Sequence, residues 1–131
     1  MICEFQAKAK VNPTEDVQKV IDSFNNIFKS SDMVIDENQI MISGHKDGLE
    51  NLKESLEQRK VRETARKILI KGIHNNEIIF NLSKQAAYVG VPVILDSELS
   101  ALGEIEVIVN CPNPQQFIDW IAPSQIEQIE K

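Results

Sequence analysis

Three segments of the chain alternate apolar and polar residues, and this alternation restricts the fold more than any other feature of the sequence. Nearly every second residue is apolar from 2 to 11, and the same period recurs from 77 to 82 and from 104 to 109. Successive side chains of a β-strand point to opposite faces of its sheet, so each segment is predicted to be a strand with one buried and one wetted face. Such a sheet needs a cover on one face only.

Residues 14–29 are predicted to form a helix that supplies part of this cover. Asn12-Pro13 ends the first strand, and Thr14 is the predicted N-cap of the helix. The acidic residues Glu15 and Asp16 complement the positive end of the helix dipole. Apolar residues then recur at helical spacing and form a single stripe, which consists of Val17, Val20, Ile21, Phe24, Ile27 and Phe28.

The middle of the chain combines a predicted hairpin with helical segments. Residues 33–35 and 39–44 are two short strands around the turn 36–38, a pattern that is typical of a hairpin. Asp47 is the predicted cap of the next helix. Residues 47–71 contain no proline, and they form either one long helix or two helices joined near Gln58. Gly72 is predicted to end this helical region in a left-handed conformation.

The last third of the chain returns to strands. Residues 74–76 are a polar connection to the strand 77–82, and Ser83 is predicted to cap a short helix that Gly90 ends. Pro92 places the extended residues 91–95 at a sheet edge, and an acidic loop over 96–103 precedes the last strand. Three residues at helical spacing are predicted to dock the C-terminal tail, residues 110–131, on the domain: Phe117, Trp120 and Ile121.

These elements predict one domain over residues 1–131. Its fold class is α+β, with two layers: a curved mixed or antiparallel sheet, and helices that cover one side of that sheet.

The cationic side chains are distributed unevenly over an acidic chain of net charge −6. Residues 59–89 contain seven Lys or Arg and two acidic side chains, whereas the remaining residues contain seven Lys or Arg and eighteen acidic ones. On a helical projection of the basic helix, the apolar residues share one arc and the cations occupy the opposite half-turn. We identify six candidate RNA-binding residues in this segment: Arg59, Arg62, Arg66, Lys67, Lys71 and Lys84.

Two interpretations of this basic face stay open. Cations one helical turn apart can contact successive phosphates of RNA, or they can be solvated and paired with Glu63 and other acids of this chain. Aromatic residues make up only 5% of the chain, so phosphate and shape recognition of structured RNA is favoured over base stacking. For Lys84 taken alone, the favoured interpretation is a capped surface helix that packs Ala86, Ala87 and Val89 inward.

The sequence lacks the signatures of several other classes. No apolar run approaches the length of a membrane span, and the first residues do not resemble a signal peptide, so we expect a cytoplasmic protein. The glycines are isolated, no serine lies in a nucleophile elbow, and neither histidine has a partner at ligand spacing. We therefore predict a protein that is not an enzyme and that uses no cofactor and no metal.

The two cysteines, Cys3 and Cys111, are predicted to be small buried residues with free thiols. A reducing cytosol disfavours a disulfide between them, although the sequence leaves that bond open.

Two further functions stay open beside RNA binding. In the first, the protein is a non-enzymatic interaction module whose cations grip an acidic protein surface or a second copy in a homodimer. In the second, it is an enzyme whose pocket is assembled only in the tertiary structure.

Several segments resemble a family of small uncharacterised archaeal proteins that carry an RNA-binding label. They are residues 12–16, 57–66, 102–107 and 117–123 and the run Leu82-Ser83-Lys84-Gln85-Ala86-Ala87-Tyr88-Val89-Gly90. Within this resemblance, which spans essentially the whole chain, Lys84-Gln85-Ala86-Ala87 is the most specific part. The resemblance implies an archaeal cytoplasm and a fold like that of the ribosomal protein that binds five-S rRNA. It assigns no catalytic or binding residues, and a fold alone does not define a function.

Overall fold

The computed structural model describes residues 2–95 and 104–124, which form an open antiparallel sheet with helices packed on one face. A short 3₁₀ helix, Lys46–Leu49, connects β3 to α2. The strands and α-helices in chain order are β1 (Glu4–Lys10), α1 (Val17–Ile27), β2 (Asp32–Ile35), β3 (Gln39–His45), α2 (Glu50–Gln58), α3 (Arg62–Lys71), β4 (Ile73–His74), β5 (Glu77–Ser83), α4 (Lys84–Tyr88), β6 (Ile94–Leu95), β7 (Glu104–Asn110) and α5 (Pro114–Ile121).

The described strands are arranged in the order β2-β3-β1-β7-β5, and all of their pairings are antiparallel. The outer side of β5 carries two short strands at its opposite ends: β4 pairs through Ile78, and β6 pairs through Leu82. The predicted α+β class is confirmed, and the sheet is the antiparallel one of the two predicted types.

The predicted alternation of the long strands is confirmed residue by residue. In β1 the side chains of Phe5, Ala7 and Ala9 are buried while their neighbours are exposed, and β5 and β7 repeat the pattern. The helices cover this buried face with apolar residues of their own: Val20, Phe24, Ile27, Leu52, Leu56, Leu69, Phe117, Ile118 and Ile121. The core therefore lies between one sheet face and one helical layer, and the other sheet face is left uncovered by the described helices.

The helix ends differ from the sequence predictions in three places. Asp16 and not Thr14 caps α1, because its carboxylate accepts a hydrogen bond of 2.9 Å from the Gln18 amide. Asp47 lies inside the 3₁₀ helix and makes no side-chain cap. Gly72 has an ordinary φ of −87°, and it is required for another reason: a Cβ at this position would overlap the carbonyl oxygen of Ile79 on β5.

The predicted polar connection at residues 74–76 is in part a strand. His74 belongs to β4 and pairs with Glu77, so β4 and β5 form a tight hairpin. Asn75 in its turn has a φ of 54°, a left-handed conformation that asparagine tolerates better than most residues.

Of the two alternatives for the basic segment, the structure has two helices and not one. The first, α2, ends at Gln58, and Arg59 and Lys60 form the junction before α3 begins at Arg62. Lys60 has a φ of 57°, which breaks the helical path. The cations are consequently divided between a junction and a separate helix.

A disulfide joins Cys3 to Cys111, so the prediction of free thiols is wrong although both residues are buried as expected. The two residues are 108 positions apart in sequence, and their Cα atoms are 4.7 Å apart. The cause is the register of the antiparallel strands β1 and β7, in which Glu4 lies opposite Asn110. Cys3 precedes Glu4 and Cys111 follows Asn110, so the two cysteines lie opposite each other as well.

Candidate nucleic-acid interface

Helix α3 has a buried side and a cationic solvent-facing side. Ala65 and Leu69 are buried against the core. Three exposed residues of α3 follow at intervals of three and four, which places them on one side of the helix, and Ile70 is exposed beside them. We call this line the α3 stripe; it consists of Thr64, Lys67 and Lys71.

Arg59 lies at the junction before α3, where it is exposed and fixed by a hydrogen bond. Its Nη1 donates to the main-chain carbonyl oxygen of Pro92 at 2.8 Å. A carbonyl oxygen does not neutralise the guanidinium, so Arg59 keeps its positive charge beside the α3 stripe.

Arg66 differs from the α3 stripe because it faces helix α5. Its Nη2 forms an ion pair of 2.7 Å with Oδ1 of Asp119, and its Nη1 donates to the carbonyl oxygen of Ala122 at 3.1 Å. Only 14% of the Arg66 side chain is exposed. The structure therefore gives this predicted RNA-binding residue an intramolecular partner.

Arg62 is half-buried in the first turn of α3. Its Nε atom is buried and has no hydrogen-bond partner among the residues that the structure describes. Arg62 and Arg66 are therefore set back from the solvent, and the exposed cations of α3 are Lys67 and Lys71.

Lys84 lies inside the protein and not on its surface. Its side chain is 0% exposed, and Nζ donates to Oε1 of Glu15 at 3.0 Å and to the carbonyl oxygen of Lys10 at 2.7 Å. As predicted, Ser83 caps α4 by accepting a hydrogen bond from the Ala86 amide. The first residue of that helix then points inward, so Lys84 cannot contact RNA in this conformation.

The prediction that Val89 packs inward from the same short helix is wrong. Ala87 is buried as expected, but Val89 is 76% exposed. The helix ends at Tyr88, so the helical projection no longer holds one residue later.

Glu15 is the centre of a buried polar cluster with Lys84 and Tyr88. Oε1 accepts hydrogen bonds from Lys84 and from the Asn12 amide, and Oε2 accepts one from the Tyr88 hydroxyl. Burial raises the pKa of the Glu15 carboxyl, but these hydrogen bonds and the Lys84 charge outweigh burial and hold that pKa below its ordinary value. Burial and the Glu15 carboxylate raise the pKa of Tyr88 well above its ordinary value.

Trp120 of α5 interacts with two lysines that the sequence analysis did not single out. Nζ of Lys46 lies 4.3 Å from the centroid of the indole ring, and Nζ of Lys53 lies 5.9 Å from it. These are cation–π contacts, which help to hold α5 against the 3₁₀ helix and α2. No sequence pattern predicts these contacts, because the three residues belong to three different elements.

The described residues contain no group of three or more metal-ligating side chains that could hold an ion. No helix in the described part of the chain is long and apolar enough to cross a membrane.

The fold and this surface define a small α+β protein of net charge −6 with exposed lysines on helix α3. A family model described as RNA binding matches residues 4–111. The chain therefore belongs to this RNA-binding family.

The relatives of the chain are archaeal proteins of similar length. The UPF0201 protein of Methanothermobacter thermautotrophicus is 36% identical over 118 residues, which cover 90% of this chain and 89% of the relative. A crystal structure of a UPF0201 protein superposes with a TM-score of 0.83 at 29% identity, over 92% of this chain and 94% of the other.

A second crystal structure, of the UPF0201 protein from Methanococcus jannaschii, has a TM-score of 0.76 at 34% identity and covers 93% of this chain and 94% of the other. The predicted membership in an archaeal family labelled RNA-binding is confirmed. The likeness to the ribosomal protein that binds five-S rRNA stays a prediction.

Proposed function

We propose that this protein binds structured RNA through the α3 stripe and the adjacent junction, and that it does so without catalysing a reaction. The observation that carries the proposal is the exposure of Lys67 and Lys71 on one side of α3 and of Lys60 in the adjacent junction, in a chain of net charge −6. The RNA-binding family supports the same class of ligand.

The mechanism is contact between ammonium groups and successive phosphates. Residues three and four positions apart on a helix are neighbours, roughly 5–6 Å apart at Cβ, so Lys67 and Lys71 can engage adjacent phosphates of one strand. Arg59 adds a planar guanidinium that suits phosphate oxygens. Arg62 stays in the proposal as a half-buried cation that supports the positive field of this surface.

Two residues leave the proposed RNA contact set because their side chains are withdrawn from the solvent. Arg66 is paired with Asp119 and only 14% exposed, and Lys84 is buried with Glu15. The proposed contact residues are Arg59, Lys60, Lys67 and Lys71, and half-buried Arg62 adds positive charge beside them.

Binding of a hairpin RNA by fluorescence anisotropy at several salt concentrations tests this proposal. The logarithm of the affinity is expected to fall with the logarithm of the salt concentration, by about 0.7–0.9 for each phosphate contact. Lys67→Glu should weaken binding and reduce that slope, whereas Lys19→Glu, at an exposed position of α1, should have a smaller effect. An affinity that does not respond to salt, or equal losses in both variants, would contradict the proposal.

One observation favours the second candidate function, non-enzymatic assembly of copies of the chain. No described strand pairs with the outer edge of β2, where Val34 and Ile35 are each 52% exposed. Exposed apolar edge strands tend to pair with another chain, although Asp32 and Asp36 flank this one and repel an identical acidic edge. Light scattering of the wild type and of Val34→Lys, with and without RNA, separates assembly from RNA binding.

A further inference from the structure

An apolar cleft lies between the start of α3 and the segment that leads into β6. Its volume is about 150 Å³. Five apolar side chains form most of its walls: Val61, Ala65 and Ile68 from α3, and Val93 and Ile94 from the opposite side. Leu56 and Pro92, which are buried, also line the cleft, so its interior is mostly apolar.

The mouth of the cleft meets the cationic surface. Thr64, which belongs to the α3 stripe, also lines the cleft; Lys67 is its neighbour on the helix surface, and Lys60 lies in the junction that leads into α3. Arg59 of the same junction lines the cleft as well, and its Nη1 donates to Pro92. A guanidinium has five N–H donors, so the bond to Pro92 leaves donors of Arg59 for a ligand at the mouth.

The volume of the cleft limits the size of the chemical group that it can bind. An apolar cavity of about 150 Å³ in another protein binds benzene, so a cleft of this volume accommodates one six-membered aromatic ring. Sequence-specific contacts to RNA are commonly made to unstacked bases of loops and bulges, which proteins stack on aromatic side chains or on guanidinium planes. A base that is flipped out of a helix is also held between apolar side chains.

We propose that this cleft binds a single unpaired pyrimidine base of an RNA whose adjacent phosphates lie on Lys60 and Lys67. The inference rests on the proposed RNA-binding function and extends it from phosphate contact to the capture of one base. Arg59 then donates either to the pyrimidine O2 or to the phosphate of the captured nucleotide.

The charges at the mouth favour a nucleotide over an aromatic side chain of a protein partner. A nucleotide brings a phosphate with its ring, and this phosphate suits the cations that line or adjoin the cleft, Arg59, Lys60 and Lys67. An aromatic residue of a peptide brings no negative charge, so it offers these three cations no ion pair.

Two RNA hairpins of the same stem sequence test the proposal, one fully paired and one with a single bulged 4-thiouridine. The wild type should bind the bulged hairpin about tenfold more tightly. Ultraviolet irradiation should crosslink the thiouridine to the peptides that contain residues 59–68 or 92–94. Thr64→Trp places an indole over the cleft and should remove the tenfold preference while the salt-dependent binding of the paired hairpin persists. Gln85→Trp, at an exposed position of α4, is the matched control and should keep the preference.

The outcomes separate this inference from the proposed function. If both hairpins bind equally and with salt dependence, or if the crosslinks map outside the cleft, the cleft proposal is overturned and phosphate binding stands. If neither hairpin binds, both proposals fail. If N-acetyl-tyrosine amide but not uridine monophosphate shifts the methyl resonances of Val61 and Ile94, the cleft serves a protein side chain and the inference is likewise overturned.

Discussion

Nζ of Lys84 lies 3.0 Å from Oε1 of Glu15, and the two residues are 69 positions apart in the sequence. Their side chains are 0% and 6% exposed, so the ion pair is formed away from solvent. It ties the loop before α1 to the start of α4, and Lys84 also binds the last residue of β1 through the Lys10 carbonyl. A cation that the sequence assigned to an RNA surface thus connects three elements of the fold.

Lys84→Met is expected to destabilise the protein strongly. The substitution keeps an apolar stem but leaves Glu15 buried without its cation, and removal of one partner of a buried pair typically costs about 3–5 kcal/mol. Urea denaturation followed by circular dichroism measures the change. The double variant Glu15→Gln/Lys84→Met should lose clearly less than the sum of the two single variants, since the pair is then removed together. Additive losses would show that the two residues do not interact.

The stability of the protein should respond to acid through Glu15. Its pKa in the folded state lies below the ordinary value of 4.5, so the unfolded chain takes up this proton first as the pH falls. The contribution of Glu15 is therefore complete above about pH 4.5 and is lost on acidification through the lower folded pKa. The stability difference between the wild type and Glu15→Gln should shrink between pH 6 and pH 3 in urea titrations; a constant difference would contradict the assignment.

Because of Tyr88, the stability of the protein should also fall in alkali. The pKa of Tyr88 is raised in the folded state, so its contribution is present below the ordinary value of 10.0 and is lost as the pH rises above it. Tyr88→Phe lacks this titration, and its stability should fall less steeply than that of the wild type above pH 10. Equal alkaline slopes in the two proteins would exclude the Tyr88–Glu15 hydrogen bond.

Reduction of the Cys3–Cys111 bond should destabilise the protein by about 4 kcal/mol, because the bond closes a loop that spans most of the chain. The check is the urea midpoint with and without dithiothreitol. The variant Cys3→Ala/Cys111→Ala controls for other effects of the reductant, and its midpoint should not move. A wild-type midpoint that is equally insensitive, together with two titratable thiols in denaturant, would show that the bond is absent.

Asp119→Asn should strengthen RNA binding if the proposed surface is correct. It removes the carboxylate that neutralises Arg66, so the positive potential around α3 increases although Arg66 keeps its bond to the Ala122 carbonyl. Because 53% of the Asp119 side chain is exposed, the loss of stability should stay below about 1 kcal/mol. We expect RNA affinity at low salt to rise several-fold, as measured by anisotropy. Asp22→Asn removes the same charge on α1 and should change the affinity less.

The long-range pairings explain which sequence predictions failed. Thr14 fits the cap position by residue type, but Asp16 accepts the capping hydrogen bond from the Gln18 amide, and Glu15 between them pairs with Lys84. The sequence groups six cations as candidate RNA-binding residues, whereas in the structure Arg66 pairs with Asp119 of α5 and Lys84 pairs with Glu15. Each failure involves a partner from a distant element, which a helical projection of one segment does not contain.

By itself the sequence determined the long strands and helix α1 together with the buried side of each. Period-two strands around Phe5, Phe80 and Val107 and the apolar stripe of α1 follow from local geometry, because a side chain's direction depends on its own backbone. The tertiary structure decided which charges stay available. Whether a lysine or arginine faces solvent, a carboxylate or a carbonyl depends on how β1, α4 and α5 are brought together. The tertiary structure also brought Cys3 next to Cys111 and formed the cleft beside Thr64, because contacts between distant segments arise only from packing.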